Sequence, residues 1–231
     1  MSKQFLAILA VIVIIFIGIF AVNNNKSSKS NSSSSSKLTQ HIEGQGKAGV
    51  TLVEYGDYQC PYCGQAYSTL KQVEAQYSQQ IFFQFRNFPL TSLHQNAFAG
   101  ARAAEAAGLQ NKYWEMHDVL YEQNTIHYAN KTNNDWIGST DPLTYFDQYA
   151  KQLGLNVNKF NTDYASTNVN NLINADMKEG AKLKVNGTPT YFLDGKQLPQ
   201  SSVTNSVNYF SNLINAEITK KSAHASTAPA G

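Results

Sequence analysis

The chain has 231 residues, with 18 Lys and Arg against 16 Asp and Glu, a formal net charge of +2. That balance, without a basic stripe or interleaved basic and aromatic residues, excludes nucleic acid as a partner. No internal repeat is visible, and about 175 residues outside the low-complexity ends suffice for one well-buried domain or a domain with an insertion.

Phe5–Val22 is an apolar run relieved only by Gly18 and preceded by Lys3. As a helix it would measure about 27 Å, close to the thickness of a bilayer core. It is long for the apolar part of a signal peptide, shows no Ala-x-Ala near its end, and holds no Cys for a lipid. The expectation is an uncleaved membrane anchor over residues 1–22. Lys3 on one side and Lys26, Lys29 and Lys37 on the other do not orient it by charge. Asn23–Ser36 is almost wholly Asn, Ser and Lys and has nothing to bury. It predicts a flexible linker, extended here to residue 46.

Val50–Tyr55 is β-branched and apolar and predicts a buried strand. Glu54 is its anomaly, an acid that alternation points beneath the residues that follow. Buried there, it would have a raised pKa and could exchange a proton with a neighbouring thiol. Six residues on comes Cys60-Pro61-Tyr62-Cys63, the only two cysteines in the chain. Leu70, Val73 and Tyr77 then recur at helical spacing, and Pro61 suits the first helical position. Cys60 therefore falls at the helix start, where free N–H groups and the helix dipole favour an anion. Thiolate is the reactive form, and such a position lowers a cysteine pKa. The assignment is Cys60 as the attacking thiolate and Cys63, one turn further in, as the resolving thiol. A structural disulfide this short would constrain almost no chain. Half a zinc site finds no partners, because His41, His94, His117, His127 and His224 show no ligand spacing with the pair. No metal and no cofactor is expected.

Ile81–Phe88 predicts the next strand, ended by Pro89, and so a right-handed βαβ unit with parallel strands. From Leu93 to Leu183 the period is helical. The expected helices are 94–107, 110–123, 143–153, 157–166 and 167–183. Residues 125–140, rich in Asn and Asp, predict a solvated loop, and Asp141-Pro142 a cap and a first helical position. Thr190–Asp194 restores the strand pattern. Asp194-Gly195 is a hairpin turn into a return strand, Lys196–Leu198. Ser201 or Ser202 can cap a last helix running through Ile218. Lys220–Gly231 has no periodicity and predicts a disordered tail.

Three stretches, in the same order as in that family, resemble the DsbA-like thiol–disulfide oxidoreductases of the thioredoxin superfamily. Glu54–Tyr67 resembles the active-site segment. Phe85-Arg-Asn-Phe-Pro89-Leu90, with His94-Gln-Asn-Ala and the Ala-rich run to Trp114, resembles the start of an inserted helical domain. Lys184–Gly195 resembles the segment bearing a proline that faces the active site. The resemblance covers residues 48 to 220. It implies an α/β thioredoxin fold in two halves, 47–92 and 184–219, with an inserted α-helical domain at 93–183. The anchor precedes this body and the tail, 220–231, follows it. It implies a cis Thr188–Pro189 bond, with the backbone of Thr188 pairing an extended substrate beside Cys60. The catalytic set is then Cys60, Cys63, Glu54 and Pro189, with Pro61, Tyr62 and Thr188 contacting substrate.

The expected function is a membrane-anchored thiol–disulfide oxidoreductase that introduces disulfides into exported proteins. Its partners would be exported proteins with thiols and an upstream membrane redox partner. A vicinal cysteine pair working as an oxidant belongs in an oxidising compartment, which puts the body on the extracytoplasmic side. Two alternatives stand beside this: a reductase or isomerase on the same fold, and a non-catalytic peptide-binding module.

Overall fold

The structure is a computed structural model that describes residues 37–131, 135–199 and 206–227. The expected anchor, the linker up to residue 36, the Ser201 or Ser202 cap and the last residues of the tail lie outside the described residues. Among the described residues no helix is long and apolar enough to cross a membrane.

The chain builds one mixed sheet from β1 (His41–Glu43), β2 (Val50–Gly56), β3 (Ile81–Asn87), β4 (Thr190–Leu193) and β5 (Lys196–Gln197), in the order β1-β3-β2-β4-β5. β2 and β3 run parallel, with Val50 opposite Ile81 and Glu54 opposite Phe85. β4 is antiparallel to β2 and sets Tyr191 against Glu54 on the other side. β2 is thus flanked on both edges, which explains its apolar character. The crossover α1 (Pro61–Tyr77) and the last helix α7 (Val207–Thr227) cover one face. Leu70, Val73, Tyr77, Phe210 and Ile214 join Val50, Leu52, Ile81 and Phe83 there in one buried cluster.

Between β3 and β4 lie α2 (Ala97–Gly108), α3 (Tyr113–Asn130), α4 (Leu143–Gln152), α5 (Val157–Tyr164) and α6 (Thr167–Lys182). The buried alanines of α2, among them Ala103, Ala104 and Ala107, let the other helices approach it closely. Trp136, Phe146, Phe160 and Ile173 fill a second core that continues through Tyr58 and Phe85 to Cys60 and Cys63. The insertion and the cysteine pair therefore share one apolar interior.

Several boundaries differ from expectation, each for a tertiary reason. Residues 37–46 are not part of a linker. β1 pairs antiparallel with β3, and Thr39 is buried with its N–H and hydroxyl on the Asp176 carboxylate. α3 runs to Asn130 through residues read as a loop, because Asn124, Thr125 and Tyr128 find partners in the Tyr58–Gly64 backbone. Lys131, with φ 51°, ends it. α7 continues from Ile218 to Thr227 across residues read as tail. Lys221 anchors that extension on Asp194 and on the carbonyl of Gly49. α2 starts at Ala97 rather than His94, since the His94 ring turns away to Asp57. Pro142 is itself the cap residue of α4, one position later than expected.

Candidate active site

β2 ends at Gly56, and four residues later Cys60 caps α1 with extended backbone angles, φ −69° and ψ 124°. Asp57 shapes the turn between them. Its carbonyl accepts the Cys60 N–H at 3.0 Å and its Oδ1 accepts the Gln59 N–H at 2.8 Å. Its Oδ2 reaches the start of the insertion, accepting the Leu90 N–H at 2.9 Å and bonding His94 Nδ1 at 2.7 Å. Pro61 follows at the first helical position, where a missing N–H costs nothing.

Both cysteines are free thiols and both are buried. Their environments nevertheless separate them. The Cys60 pKa is lowered to about 6. The largest cause is the hydrogen bond from the Cys63 thiol; Thr188 and the backbone N–H groups of Cys63 and Tyr62 add to it, against the cost of burial. Cys63 goes the other way. Burial pushes its thiol well up, and the bond to Cys60 and the negative charges of Cys60 and Glu54 push it further. So Cys60 ionises first, while Cys63 keeps its proton and directs it at the thiolate.

Glu54 is 2% exposed. Burial raises its pKa well above 4.5, and the neighbouring charges, Glu74 and Cys60, raise it as well. The neutral acid is favoured, and once ionised its charge would act on Cys63. Two buried phenols belong to the same neighbourhood. The hydroxyls of Tyr121 and Tyr191 have no hydrogen-bond partner among the described residues, and both feel the Glu54 and Cys63 charges.

Thr188–Pro189 is cis. The Thr188 carbonyl accepts from the Cys60 thiol at 3.3 Å, so this loop closes over the sulfur. The Thr188 hydroxyl is buried without a closed hydrogen bond and is available to donate once Cys60 has lost its proton. Tyr62, by contrast, is 64% exposed beside the pair. Among the residues singled out in the sequence, the structure brings Glu54, Cys60, Cys63 and Thr188 together, flanked by Pro61, Tyr62 and Pro189.

Sequence reasoning missed four residues: Asp57, His94, Asn124 and Tyr128. Asp57 and His94 carried a signal only as members of the stretches resembling the active-site segment and the start of the insertion, with no role attached to either. The His94 pKa is raised, first by the bond to Asp57 and then, against burial, by the charges of Asp57 and Cys60. A cation is therefore favoured near Cys60, although Pro61-Tyr62 supplies none. Among the described residues no group of three or more His, Cys, Asp or Glu side chains is placed to hold a metal ion.

A family model described as thioredoxin matches residues 36–216. Among curated proteins, the Na(+)/H(+) antiporter NhaA 1 of Salinispora arenicola is 37% identical over 158 residues, covering 68% of this chain and 22% of that protein. The chain spans less than a quarter of the length of the curated relatives it matches. A thioredoxin-like oxidoreductase from Silicibacter pomeroyi superposes with a TM-score of 0.60 at 24% identity, over 76% of this chain and 90% of that one. Oxidised BdbD from Bacillus subtilis does so at 0.65 and 19% identity, over 78% and 93%. With the family model covering the sheet, the cysteine pair and the insertion together, the chain belongs to the thioredoxin family, and its fold, inserted helical domain included, is shared with BdbD.

Proposed function

We propose that this protein is a membrane-anchored thiol–disulfide oxidoreductase that introduces disulfides into exported proteins. The observation that carries the oxidising direction is the split between the two thiols. A Cys60 held to about 6 stabilises the reduced enzyme, and a couple whose reduced form is stabilised is an oxidant. The apolar run Phe5–Val22 supplies the anchor, and the chemistry requires the body to face an oxidising compartment.

The cycle starts from the Cys60–Cys63 disulfide. A substrate thiolate attacks Cys60 Sγ; the S–S bond breaks and Cys63 leaves with the electron pair. Cys63 takes a proton, which the buried Glu54 supplies. A second substrate thiolate attacks the substrate sulfur of the mixed disulfide, and Cys60 leaves as the stabilised thiolate. The substrate has lost two electrons and the cysteine pair has gained two. An upstream membrane oxidase must then take them. Thr188 and Pro189 line the place where an extended substrate lies, with Tyr62 exposed on its rim.

Equilibration against a glutathione buffer tests this. A midpoint between about −120 and −200 mV is expected, well above the about −270 mV of thioredoxin. A value at or below that of thioredoxin would assign the reducing direction instead.

A further inference from the structure

We propose that the C-terminal half of α3, through Asn124 and Tyr128, positions the active-site turn and sets the reactivity of Cys60. This would be the insertion's contribution to the chemistry. Three consecutive carbonyls of the turn end on these two side chains. Asn124 Nδ2 donates to Tyr58 O at 2.9 Å and to Cys60 O at 3.1 Å. The Tyr128 hydroxyl donates to Gln59 O at 2.9 Å between them. A buried carbonyl needs a donor, and Tyr58 and Gln59 lie past the end of β2 and before α1, where no ladder offers one.

Two further observations mark Asn124 as built for this place. It is 1% exposed, and its Oδ1 has no hydrogen-bond partner among the described residues. The amide is thus held by its donors alone, at the expense of its own acceptor. Opposite it, α1 carries Gly64 in its interior, where Gly is disfavoured relative to Ala. A Cβ there would lie 1.9 Å from Asn124 Oδ1. The glycine is the space in which Asn124 fits. Thr125 adds a fourth contact from the same helix, its hydroxyl 3.3 Å from Gly64 O.

The consequence falls on the sulfur. Cys60 Sγ is stabilised as thiolate first by the Cys63 thiol, then by Thr188 and by the N–H groups of Cys63 and Tyr62, all of which depend on where the turn sets the sulfur. Carbonyls held on α3 fix the backbone of Tyr58, Gln59 and Cys60, and so fix where the Cys60 side chain stands relative to the first turn of α1 and its positive dipole end. Neither Asn124 nor Tyr128 bonds to the sulfur. Both act through the backbone, as positioning residues.

The test compares Asn124→Ala and Tyr128→Phe with the wild type, with Phe160→Leu as a control that weakens the insertion core where α5 packs on α2, α4 and α6. Two quantities are read in each: the Cys60 titration by thiolate absorbance, and the equilibrium constant with glutathione. For Asn124→Ala the Cys60 pKa should rise by about one unit, and the constant should become about tenfold less oxidising, about 30 mV. Tyr128→Phe should move both in the same direction by about threefold, about half that shift in potential. Phe160→Leu should lose stability and leave both unchanged. Because Tyr128 is 38% exposed and loses only a hydroxyl, it decides the matter should Asn124→Ala not fold. Unchanged values in folded Tyr128→Phe, or an equal shift in Phe160→Leu, would overturn the proposal. The inference rests on Cys60 being the attacking thiol, and that reading fails separately. It fails if the wild-type Cys60 itself titrates like an ordinary thiol, whereas the role of α3 is read from the difference between proteins.

Discussion

Two buried polar regions flank β3, and they solve opposite problems. At the seam of β1, β3, α2 and α6, every buried acid is met by donors. Asp176 accepts from the Thr39 N–H and hydroxyl, the Asn87 N–H and the Arg86 guanidinium, the last at 3.2 Å. Glu105 accepts from His41 at 2.8 Å and from Asn87 at 2.7 Å, and His41 lies flat on Tyr113. Beneath the cysteines, Glu54 is equally buried, but its charged neighbours, Glu74 and Cys60, are both negative. Burial raises both Asp176 and Glu54, yet only Asp176 has a cation and hydrogen bonds opposing that rise. The seam spends its charges on holding residues 37–43 to the body. The site leaves Glu54 with its pKa raised by burial and by negative neighbours. Burial is common to both acids; what separates them is that the causes opposing the rise at Asp176 have no counterpart among those acting on Glu54, which is what recommends Glu54 for testing.

The sharpest way to break that contrast is a pair of variants. Asp176→Ala leaves Arg86 buried without its carboxylate, a change that costs about 3–5 kcal/mol in such pairs. Denaturant unfolding should show that loss, while the potential of the cysteine pair in the folded fraction stays put. Cys60→Ser should do the reverse, abolishing thiol exchange with little change in the unfolding midpoint. A potential that moved with Asp176 would merge the two regions into one.

Glu54→Gln sharpens the comparison next. Glu54 has a folded-state pKa raised above 4.5, so its contribution to stability is fully present below that value and is lost as pH rises through the raised one. Gln cannot ionise. The difference in unfolding free energy should therefore grow in favour of the variant as pH climbs from 4.5. Substrate oxidation should slow at the same time, because Cys63 loses its proton donor. A pH-independent difference would mean that Glu54 is no proton store.

The smallest effect is expected at His94, whose pair with Asp57 joins the turn to the insertion. Its raised pKa means that the stabilisation is complete below 6.5 and is lost as pH rises through the raised value. His94→Asn should cost less than about 1 kcal/mol, and only on the acid side. An equal loss at alkaline pH would show that the pair acts as a neutral hydrogen bond.

Much of the sheet was legible because its signals are local. Alternation and β-branching gave β2 and β3 within a residue, and the crossover between them forced a parallel pair. Asp194-Gly195 announced the β4–β5 hairpin. The insertion was legible as helical but not in its limits. Residues 124–130 have weak helical pattern of their own, and they are helical because their side chains cap a turn more than sixty positions earlier. β1 went unseen for a similar reason: three residues carry no periodicity, and their pairing with β3 depends on Thr39 meeting Asp176 across 137 positions.

By itself the sequence determined where the two thiols and the acid stand on the local backbone: Cys60 at the start of α1, Cys63 one turn in, Glu54 on β2. Periodicity, proline geometry and the spacing of two thiols are properties of neighbouring residues, and neighbours are what a sequence displays. Only the tertiary structure decided how those atoms are tuned. The donors to the turn come from Asn124 and Tyr128, the histidine near it is His94 held by Asp57, and the carbonyl over the sulfur belongs to Thr188. A hydrogen bond between distant residues leaves no local pattern, because its energy depends on where the fold brings two polar groups and not on what stands beside either of them in the chain.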